Sequence, residues 1–339
     1  MRLNKILFQI LLSSCSLCSF TYGQYFNWKA GVDGFFDNRE YDNEYGKSQT
    51  LFGTQFFGTA EFEVNSYLKF ETGVNVIFEF GSKVQSNDIK PIIFLGYRNN
   101  LLTLNFGSFP IKNLIDLPLL LHSDTIQYFR PNCEGIYLEL KKHWGKQSIW
   151  IDWISRQSEI DHEIFQIGGT GTIKKGVIFY RHDFIMTHFA NPGNRTPDNH
   201  VRDNGGILAG VGVDLSNYLF DSLTFSLGYC FSYDRLREVS DFIFSHGILS
   251  QFYIERYNIG LKSTIYLGDG QELLTGDRLY RASYYNRFDI EWHIFNKKYL
   301  SGSVEFSLHN VKHVLDVSQS FKLTAIIGGK RQLKSVSSP

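Results

Sequence analysis

The chain has 339 residues, with 34 basic and 34 acidic side chains. This balance excludes the concentrated positive field that nucleic-acid binding requires, so we predict no nucleic-acid partner. Aromatic residues make up 16% of the chain, with 30 Gly and only 7 Pro, and this composition favours an all-β fold with many strands.

The N-terminus has the pattern of an export signal. Arg2 and Lys5 precede a short apolar run, and small residues follow it up to Gly23. We therefore predict a signal peptide over residues 1–23. A second interpretation stays open, because the residues that end at Cys15 resemble a lipobox in which this cysteine is lipidated. No later run approaches the roughly 20 apolar residues of a membrane helix, so the exported chain is either soluble or a barrel.

The clearest strand pattern lies between Leu68 and Phe80. Its residues alternate between two faces: Leu68, Phe70, Thr72, Val74, Val76, Phe78 and Phe80 on one, and Lys69, Glu71, Gly73, Asn75, Ile77 and Glu79 on the other. Successive side chains of a β-strand point to opposite faces, so this strand has one apolar and one mostly polar face. At about 3.3 Å per residue it spans roughly 40 Å, about twice the usual length in soluble proteins. Such a strand is the unit of a transmembrane β-barrel.

The same alternation recurs along the chain. We count sixteen strands, at about residues 24–36, 52–62, 68–80, 89–97, 101–108, 135–141, 148–155, 164–169, 177–188, 207–215, 223–233, 244–255, 258–267, 284–295, 300–308 and 317–327. Short and long connections alternate between them, as periplasmic turns and extracellular loops do. The predicted fold is an all-β, antiparallel up-and-down transmembrane barrel over residues 24–329, with a tail at 330–339. Fourteen strands is the alternative count, because 163–176 and 244–267 divide less clearly.

One long connection, residues 109–131, breaks the strand pattern. It contains three prolines and an apolar run without alternation. Long loops of this kind are commonly functional. It either folds inward and narrows the lumen or packs outside as a cap, and its apolar character favours the inward position. The residues that we expect in such a constriction or plug are Ile111, Lys112, Asp116, His122, Asp124 and Arg130.

Through its leader, its two-faced strands such as 68–80 and 223–233, and its alternating loop lengths, the chain resembles the porin-like outer-membrane β-barrel proteins of Gram-negative bacteria. The segment 109–131 likewise resembles the constriction loop of general porins. The resemblance implies contact with outer-membrane lipid and a monomeric or homotrimeric channel for passive passage of small solutes, with no cofactor. The chain departs from the common pattern because it ends at Pro339 without a terminal aromatic residue.

In such a barrel the charged parity of the strands faces the lumen. The predicted pore-lining residues are Lys69, Glu71, Glu79, Arg287, Asp289, Glu291, Glu305 and Lys322. An Arg or Lys side chain on the lipid face costs about 2–4 kcal/mol near the membrane midplane. Acidic and basic residues that share one parity of the strands therefore indicate that this parity faces inward. These side chains either line water or form interior ion pairs. Mixed signs predict weak ion selectivity in either case.

Catalysis has little support in the sequence, and we predict that the protein is not an enzyme. Asp161 and His162 are adjacent, as are His182 and Asp183, but neighbouring strand residues point to opposite faces. The histidines lack metal-ligand spacing, so no metal is expected. The leading hypothesis is therefore a passive channel. The alternatives are a closed barrel that serves as a surface-binding or assembly element and, less favoured, an outer-membrane hydrolase.

Overall fold

The structure, a computed structural model, describes residues 25–83, 88–194, 196, 199–218 and 220–332. Its strands are β1 Tyr25–Glu40, β2 Gln49–Glu63, β3 Leu68–Glu79, β4 Ile89–Arg98, β5 Leu102–Pro110, β6 Asn132–Lys142, β7 Gly145–Ser155, β8 Ile164–Lys175, β9 Ile178–Phe189, β10 Arg202–Asp214, β11 Ser222–Leu236, β12 Ile243–Arg256, β13 Ile259–Gly268, β14 Tyr284–Lys297, β15 Leu300–Val311 and β16 Val314–Gln332. A helix, α1 (Asp124–Phe129), and a 3-10 helix (Arg278–Arg281) lie in two connections. No helix in the described ranges is long and apolar enough to cross a membrane.

The strands form one closed barrel. Each strand is antiparallel to its neighbours in the chain, and β1 pairs with β16 from Tyr25↔Gln332 to Glu40↔Val317. Closure satisfies the backbone hydrogen bonds of every strand and leaves no free edge, which is what a membrane requires of a sheet. The predicted fold class is confirmed, with sixteen strands rather than fourteen.

The alternation of β3 separates its two environments as predicted. Phe70 and Phe78 are exposed on the outside, where a membrane would surround them. Glu71 and Ile77 are buried on the inside, at 8% and 3% exposure. The interior is therefore packed at this wall, and it accommodates an apolar side chain on the otherwise polar parity.

Short turns and longer loops lie at opposite ends of the barrel. In the described residues the loop end carries L1 (41–48), L2 (80–83 and 88), L3 (111–131), L4 (156–163), L5 (190–194, 196 and 199–201), L6 (237–242), L7 (269–283) and L8 (312–313). In outer-membrane barrels the long loops face the exterior and the short turns face the periplasm. L8 is an exception in length, because Lys312 and His313 both take positive φ and close a two-residue hairpin.

Two segments at the chain ends stand apart. The predicted signal peptide, with Cys15, lies outside the described residues, and so do residues 333–339 of the predicted tail. The first residues of that tail belong to β16, which continues to Gln332. There the Lys330 ammonium lies 2.8 Å from the Glu63 carboxylate.

Candidate functional site

L3 crosses the lumen and joins L7 through the backbone. Ser123 N donates to the Thr275 carbonyl at 2.7 Å, and Asp277 N donates to the Leu119 carbonyl at 2.9 Å. The Thr275 hydroxyl donates to the Leu121 carbonyl at 2.7 Å. The two loops therefore form one interior layer. Of the two positions that the sequence leaves open for L3, the structure has the inward one.

Apolar side chains of L3 pack against three separate sectors of the wall. Ile111 joins a buried cluster with β4–β7. Leu120 and Leu121, at 1% and 0% exposure, join a second cluster with L7 and the wall from β9 to β15. Tyr128 stacks on Phe35 of β1, with ring centroids 4.5 Å apart. Because these contacts surround the lumen, L3 is arranged as a plug.

Charged side chains anchor the same loop. Four ion pairs connect L3 to the wall: Lys112 with Asp33 at 2.7 Å, Asp116 with Arg181 at 3.4 Å, Asp124 with Arg39 at 2.9 Å, and Arg130 with Asp152 at 2.8 Å. Their wall partners belong to β1, β7 and β9. Polar anchors thus lie on the same sides of the barrel as the apolar contacts.

His122 is the buried titratable group at the centre of L3, at 9% exposure. Burial and the nearby positive charge of Arg130 lower the pKa of its imidazole to about 4. The side chain is therefore neutral at physiological pH, and a charged form would be unfavourable in this layer.

The predicted inward charges of β3 lie against the wall. The Lys69 ammonium is 2.5 Å from the Glu61 carboxylate and 3.1 Å from that of Glu71. Glu79 is partly buried near the loop end of the strand. At this wall, interior charges of opposite sign compensate one another.

A second paired group lies on β14 and β15. The Arg287 guanidinium is 2.5 Å from the Asp289 carboxylate and 2.8 Å from that of Glu305. Arg287 and Asp289 are buried, at 7% and 2% exposure. Glu291 is partly buried on β14, whereas Lys322 of β16 is exposed. These side chains form interior ion pairs, which is the alternative to a pore lined by water.

Arg39 connects these charges to the plug. Its guanidinium is 2.7 Å from the Asp37 carboxylate on its own strand and 2.9 Å from Asp124 of α1. Burial opposes ionisation of Asp124, but the positive charges of Arg39, Arg287 and Lys322 outweigh it and hold the pKa of this carboxyl well below its usual range. The carboxylate therefore stays ionised and keeps α1 bound to the wall.

Next to this network, a serine and a histidine are in hydrogen-bonding contact. His309 Nε2 is 2.8 Å from Ser318 Oγ, and His309 Nδ1 is 2.8 Å from the Tyr285 hydroxyl. The Tyr41 ring packs edge-on against the imidazole, with centroids 5.2 Å apart. This is the arrangement of a nucleophile, a base and a group that orients the base. Ser318 is the register partner of Arg39 on β1, so the two side chains point to the same inward face.

A polar cavity of about 330 Å³ lies between L1, L3 and L7. Its lining includes Arg39 and Tyr41 together with Lys47, Ser123 and Arg278. Neither Ser318 nor His309 lines this cavity; Arg39, the strand partner of the serine, and Tyr41, which packs on the histidine, lie between the cavity and the pair.

L1 closes the pair from the outside. The Asp316 carboxylate accepts hydrogen bonds from Asp42 N at 2.7 Å and from Asn43 Nδ2 at 2.5 Å. The Lys312 ammonium donates to the Tyr45 hydroxyl. The His309 imidazole, at 1% exposure, is therefore covered by a loop that is latched to β15, L8 and β16.

The adjacent acid–histidine pairs singled out in the sequence do not cooperate. Asp161 accepts from the Ser158 hydroxyl at 2.8 Å, whereas the His162 imidazole lies 2.7 Å from the Ala190 carbonyl. Asp183 accepts from the Thr170 hydroxyl inside the barrel, on the face of β9 opposite to that of its neighbour. Among the described residues, no group of three or more His, Cys, Asp or Glu side chains could hold a metal ion.

The fold is that of porin-like outer-membrane β-barrel proteins. In-vitro folded OmpT from Vibrio cholerae, in its trimer form, superposes with a TM-score of 0.57 at 9% identity, over 90% of this chain and 100% of that one. The anion-selective porin from Comamonas acidovorans gives 0.53 at 8% identity, over 90% and 99%. OmpF from Salmonella typhi, in complex with daunomycin, gives 0.52 at 10% identity, over 89% and 97%. At this identity the likeness concerns the fold, and it agrees with an outer-membrane location.

The family is narrower than the fold. The profile of the lipid A 3'-O-deacylase-type family matches residues 27–327, and the chain belongs to that family. No curated protein sequence is significantly similar to the chain. The prediction that the protein is not an enzyme is wrong, since the family is described by a hydrolytic activity. That prediction relied on residues adjacent in sequence, whereas the serine and the histidine meet across a hairpin.

The parity of the residues around 309 and 318 is the sequence signal that could have identified this serine–histidine pair. The alternation predicts that the fifteenth strand ends at 308 and that the sixteenth begins at 317, which leaves His309 in a loop. In the structure β15 and β16 are joined by two residues, so Ser307 faces Ser318 and His309 faces Asp316. A two-residue turn at 312–313 would have placed all four on the inward parity.

Proposed function

We propose that this protein hydrolyses an ester-linked acyl chain of lipid A in the outer membrane. The observation that carries the proposal is the contact of Ser318 Oγ with His309 Nε2 inside a barrel of a deacylase-type family. The pair lies toward the loop end of the barrel, the end that faces the exterior in such proteins. Lipid A occupies the outer leaflet, so substrate and site are on the same side.

The chemistry follows from the contacts of the imidazole. With the proton on Nδ1, held by the Tyr285 hydroxyl, Nε2 of His309 can take the proton of Ser318 as its Oγ attacks the ester carbonyl. The tetrahedral intermediate collapses, the sugar hydroxyl leaves with the proton from the histidine, and an acyl-serine remains. A water molecule, deprotonated by the same imidazole, then releases the fatty acid and restores the serine. Arg39, the register partner of Ser318 on the same inward face, is the cation that would stabilise the developing oxyanion, with Asp37 and Asp124 holding its guanidinium in place.

Access requires a movement of L1. The imidazole is buried and Tyr41 lies on it, so an ester reaches Ser318 only when the hydrogen bonds from Asp42 and Asn43 to Asp316 are released. Loop opening that controls access is common in enzymes. Because L8 has only two residues, the extracellular rim of the barrel is short beside the serine–histidine pair.

The test is the mass of lipid A after incubation with the refolded protein in detergent. We expect loss of one acyl chain with the wild-type protein, and no detectable loss with Ser318→Ala or His309→Ala. Ser320→Ala removes the next inward hydroxyl of the same strand and serves as the matched control, which should retain activity. Activity that survives in Ser318→Ala would overturn the assignment of the nucleophile. Intact lipid A with every form, the wild type included, would overturn the proposed reaction.

A passive channel, the function predicted from the sequence, is the second candidate. The polar inward parity and the porin-like fold support it, whereas the contacts of L3 around the lumen oppose an open path. We expect no steady conductance from the wild-type protein in a planar bilayer and large stepwise conductance after deletion of residues 112–130. Steady wild-type conductance would favour the channel. The homotrimer stays a prediction, which light scattering of the detergent-solubilised protein tests.

A further inference from the structure

The polar cavity between L1, L3 and L7 contains two cations that the protein does not pair. Lys47 of L1 and Arg278 of L7 both line it, and both side chains are exposed. In the part of the chain that the structure describes, neither side chain forms an ion pair or a hydrogen bond. Arg39, the third cation of the lining, is already paired with Asp37 and Asp124. The cavity therefore carries positive charge that is available to a ligand.

The acidic residue of the lining, Asp277, does not compensate these cations. Its carboxylate accepts a hydrogen bond from Leu279 N at 3.0 Å, at the start of the 3-10 helix that carries Arg278. Asp277 therefore stabilises the backbone of L7 and leaves the guanidinium of Arg278 free. Because like charges repel one another, an anion that enters this space of about 330 Å³ would lower the repulsion between Arg278 and Lys47.

Neutral hydrogen-bonding groups of the lining suit a sugar. The hydroxyls of Ser123 and Thr125 share one hydrogen bond at 2.9 Å, so one hydroxyl proton of the two remains to be donated. Among the described residues, the side-chain amide of Gln49 has no hydrogen-bond partner. The aliphatic side chains of the lining are only Ile126 and Leu274. An acyl chain would therefore gain little here, whereas hydroxyl groups would find donors and acceptors.

The loop backbones hold this lining in place. Ser123 N donates to the Thr275 carbonyl at 2.7 Å, which joins L3 to L7. In L1 the Asn43 side chain accepts from Gly46 N at 2.7 Å, immediately before Lys47. The cations and the neutral donors thus belong to segments with defined contacts.

We propose that this cavity binds a phosphate-bearing sugar and is the subsite for the phosphorylated glucosamine head of lipid A. Lys47 and Arg278 hold the phosphate, since ammonium and guanidinium groups are the usual partners of phosphate in proteins. The groups of Gln49, Ser123 and Thr125 contact the sugar hydroxyls. The choice of lipid A as the ligand rests on the proposed function, and the affinity for a phosphorylated sugar does not.

The position of the cavity agrees with this role. Arg39 and Tyr41 lie between it and the serine–histidine pair. A sugar bound here would therefore be one layer of side chains away from Ser318, on which an ester of the same sugar has to be placed.

The experiment is native mass spectrometry of the full-length protein in detergent, titrated with lipid A and with lipid A from which the phosphates have been removed. All forms carry Ser318→Ala, so binding is measured without hydrolysis. We expect the double variant Lys47→Gln, Arg278→Gln to bind phosphorylated lipid A about 10-fold more weakly. The affinity for dephosphorylated lipid A should not change.

The matched control is Lys83→Gln with Arg156→Gln. It removes two exposed cations of L2 and L4, at the same end of the barrel but outside the cavity, and it should bind phosphorylated lipid A normally. Heat-modifiable migration on a gel shows that each variant has folded, so a loss of affinity is not a loss of structure.

Two results would overturn the proposal. The first is equal affinity of the two double variants for phosphorylated lipid A. The second comes from competition, in which glucosamine 1-phosphate should displace lipid A at a lower concentration than inorganic phosphate does. The reverse order would assign the cavity to a free anion. A wild-type protein that leaves lipid A intact, combined with the expected affinities, would refute the proposed reaction but not the binding site.

Discussion

Replacement of Leu121 by Ala tests the closure of the lumen at its centre. The side chain has no exposed surface and packs in the cluster that also contains the free thiol of Cys230. Removal of a buried leucine side chain costs about 2–5 kcal/mol. The substitution destabilises the closed conformation of L3 and not the barrel wall, because the wall strands keep their hydrogen bonds when L3 moves out of the lumen. Since about 1.4 kcal/mol is a factor of ten, the open population should rise roughly 30- to 4,000-fold.

The thiol of Cys230 reports this opening. It is 0% exposed while L3 and L7 fill the lumen, so a water-soluble maleimide reaches it only after the plug opens. In a Cys133→Ser background, mass spectrometry of the Cys230 peptide gives the rate of modification. We expect the rate to rise by the factor above in Leu121→Ala. Ile160→Ala, in which the replaced side chain is 82% exposed in L4, should leave it unchanged. Equal rates in a folded Leu121→Ala protein would refute the plug.

Three further predictions concern the loops. In Gly276→Ala the new Cβ would lie 2.3 Å from the Leu120 carbonyl oxygen, so L7 should separate from L3 and maleimide modification inside the barrel should accelerate. The pKa of His122 in the closed form is about 4, below its ordinary 6.5, so closed-state stability should be intact above pH 6.5 and lost as the pH falls toward 4. Bilayer recordings should show more openings in that window for the wild type than for His122→Asn, and identical pH dependence would contradict this. Asn43→Ala removes a 2.5 Å hydrogen bond to Asp316, so L1 should open more often and kcat for acyl release should increase; a reduced kcat would show that the latch helps catalysis instead.

The fold was predictable because its signal is local. The alternation of apolar and polar residues in β3 predicts which side chains face outward and which face inward. The same holds for β11, where Phe225 and Tyr229 are exposed and Cys230 and Ser232 are buried. Period-two alternation needs no knowledge of the partner strand. The two-residue L8 was missed because neither Lys312 nor His313 is a typical residue for positive φ.

The site was less predictable because its contacts are distant in sequence. Arg39 and Asp124 are separated by 85 positions, and nothing near either residue indicates the other. The apolar run of L3 indicated that the loop is buried, but it did not identify L7 as the partner. Leu273 is 3% exposed and belongs to the same cluster as Leu121, yet in the sequence it is one leucine in a polar connection.

The central claim is that Ser318, activated by His309, is the reacting group of a barrel whose lumen is plugged. The most direct measurement is covalent labelling of the folded protein with a fluorophosphonate, which reacts with activated serines, followed by peptide mass spectrometry. We predict a phosphonylated Ser318 in the wild-type protein, loss of this adduct in His309→Ala, and an unchanged adduct in Ser320→Ala. A wild-type protein that stays unlabelled at Ser318, or that is labelled there without His309, would contradict it.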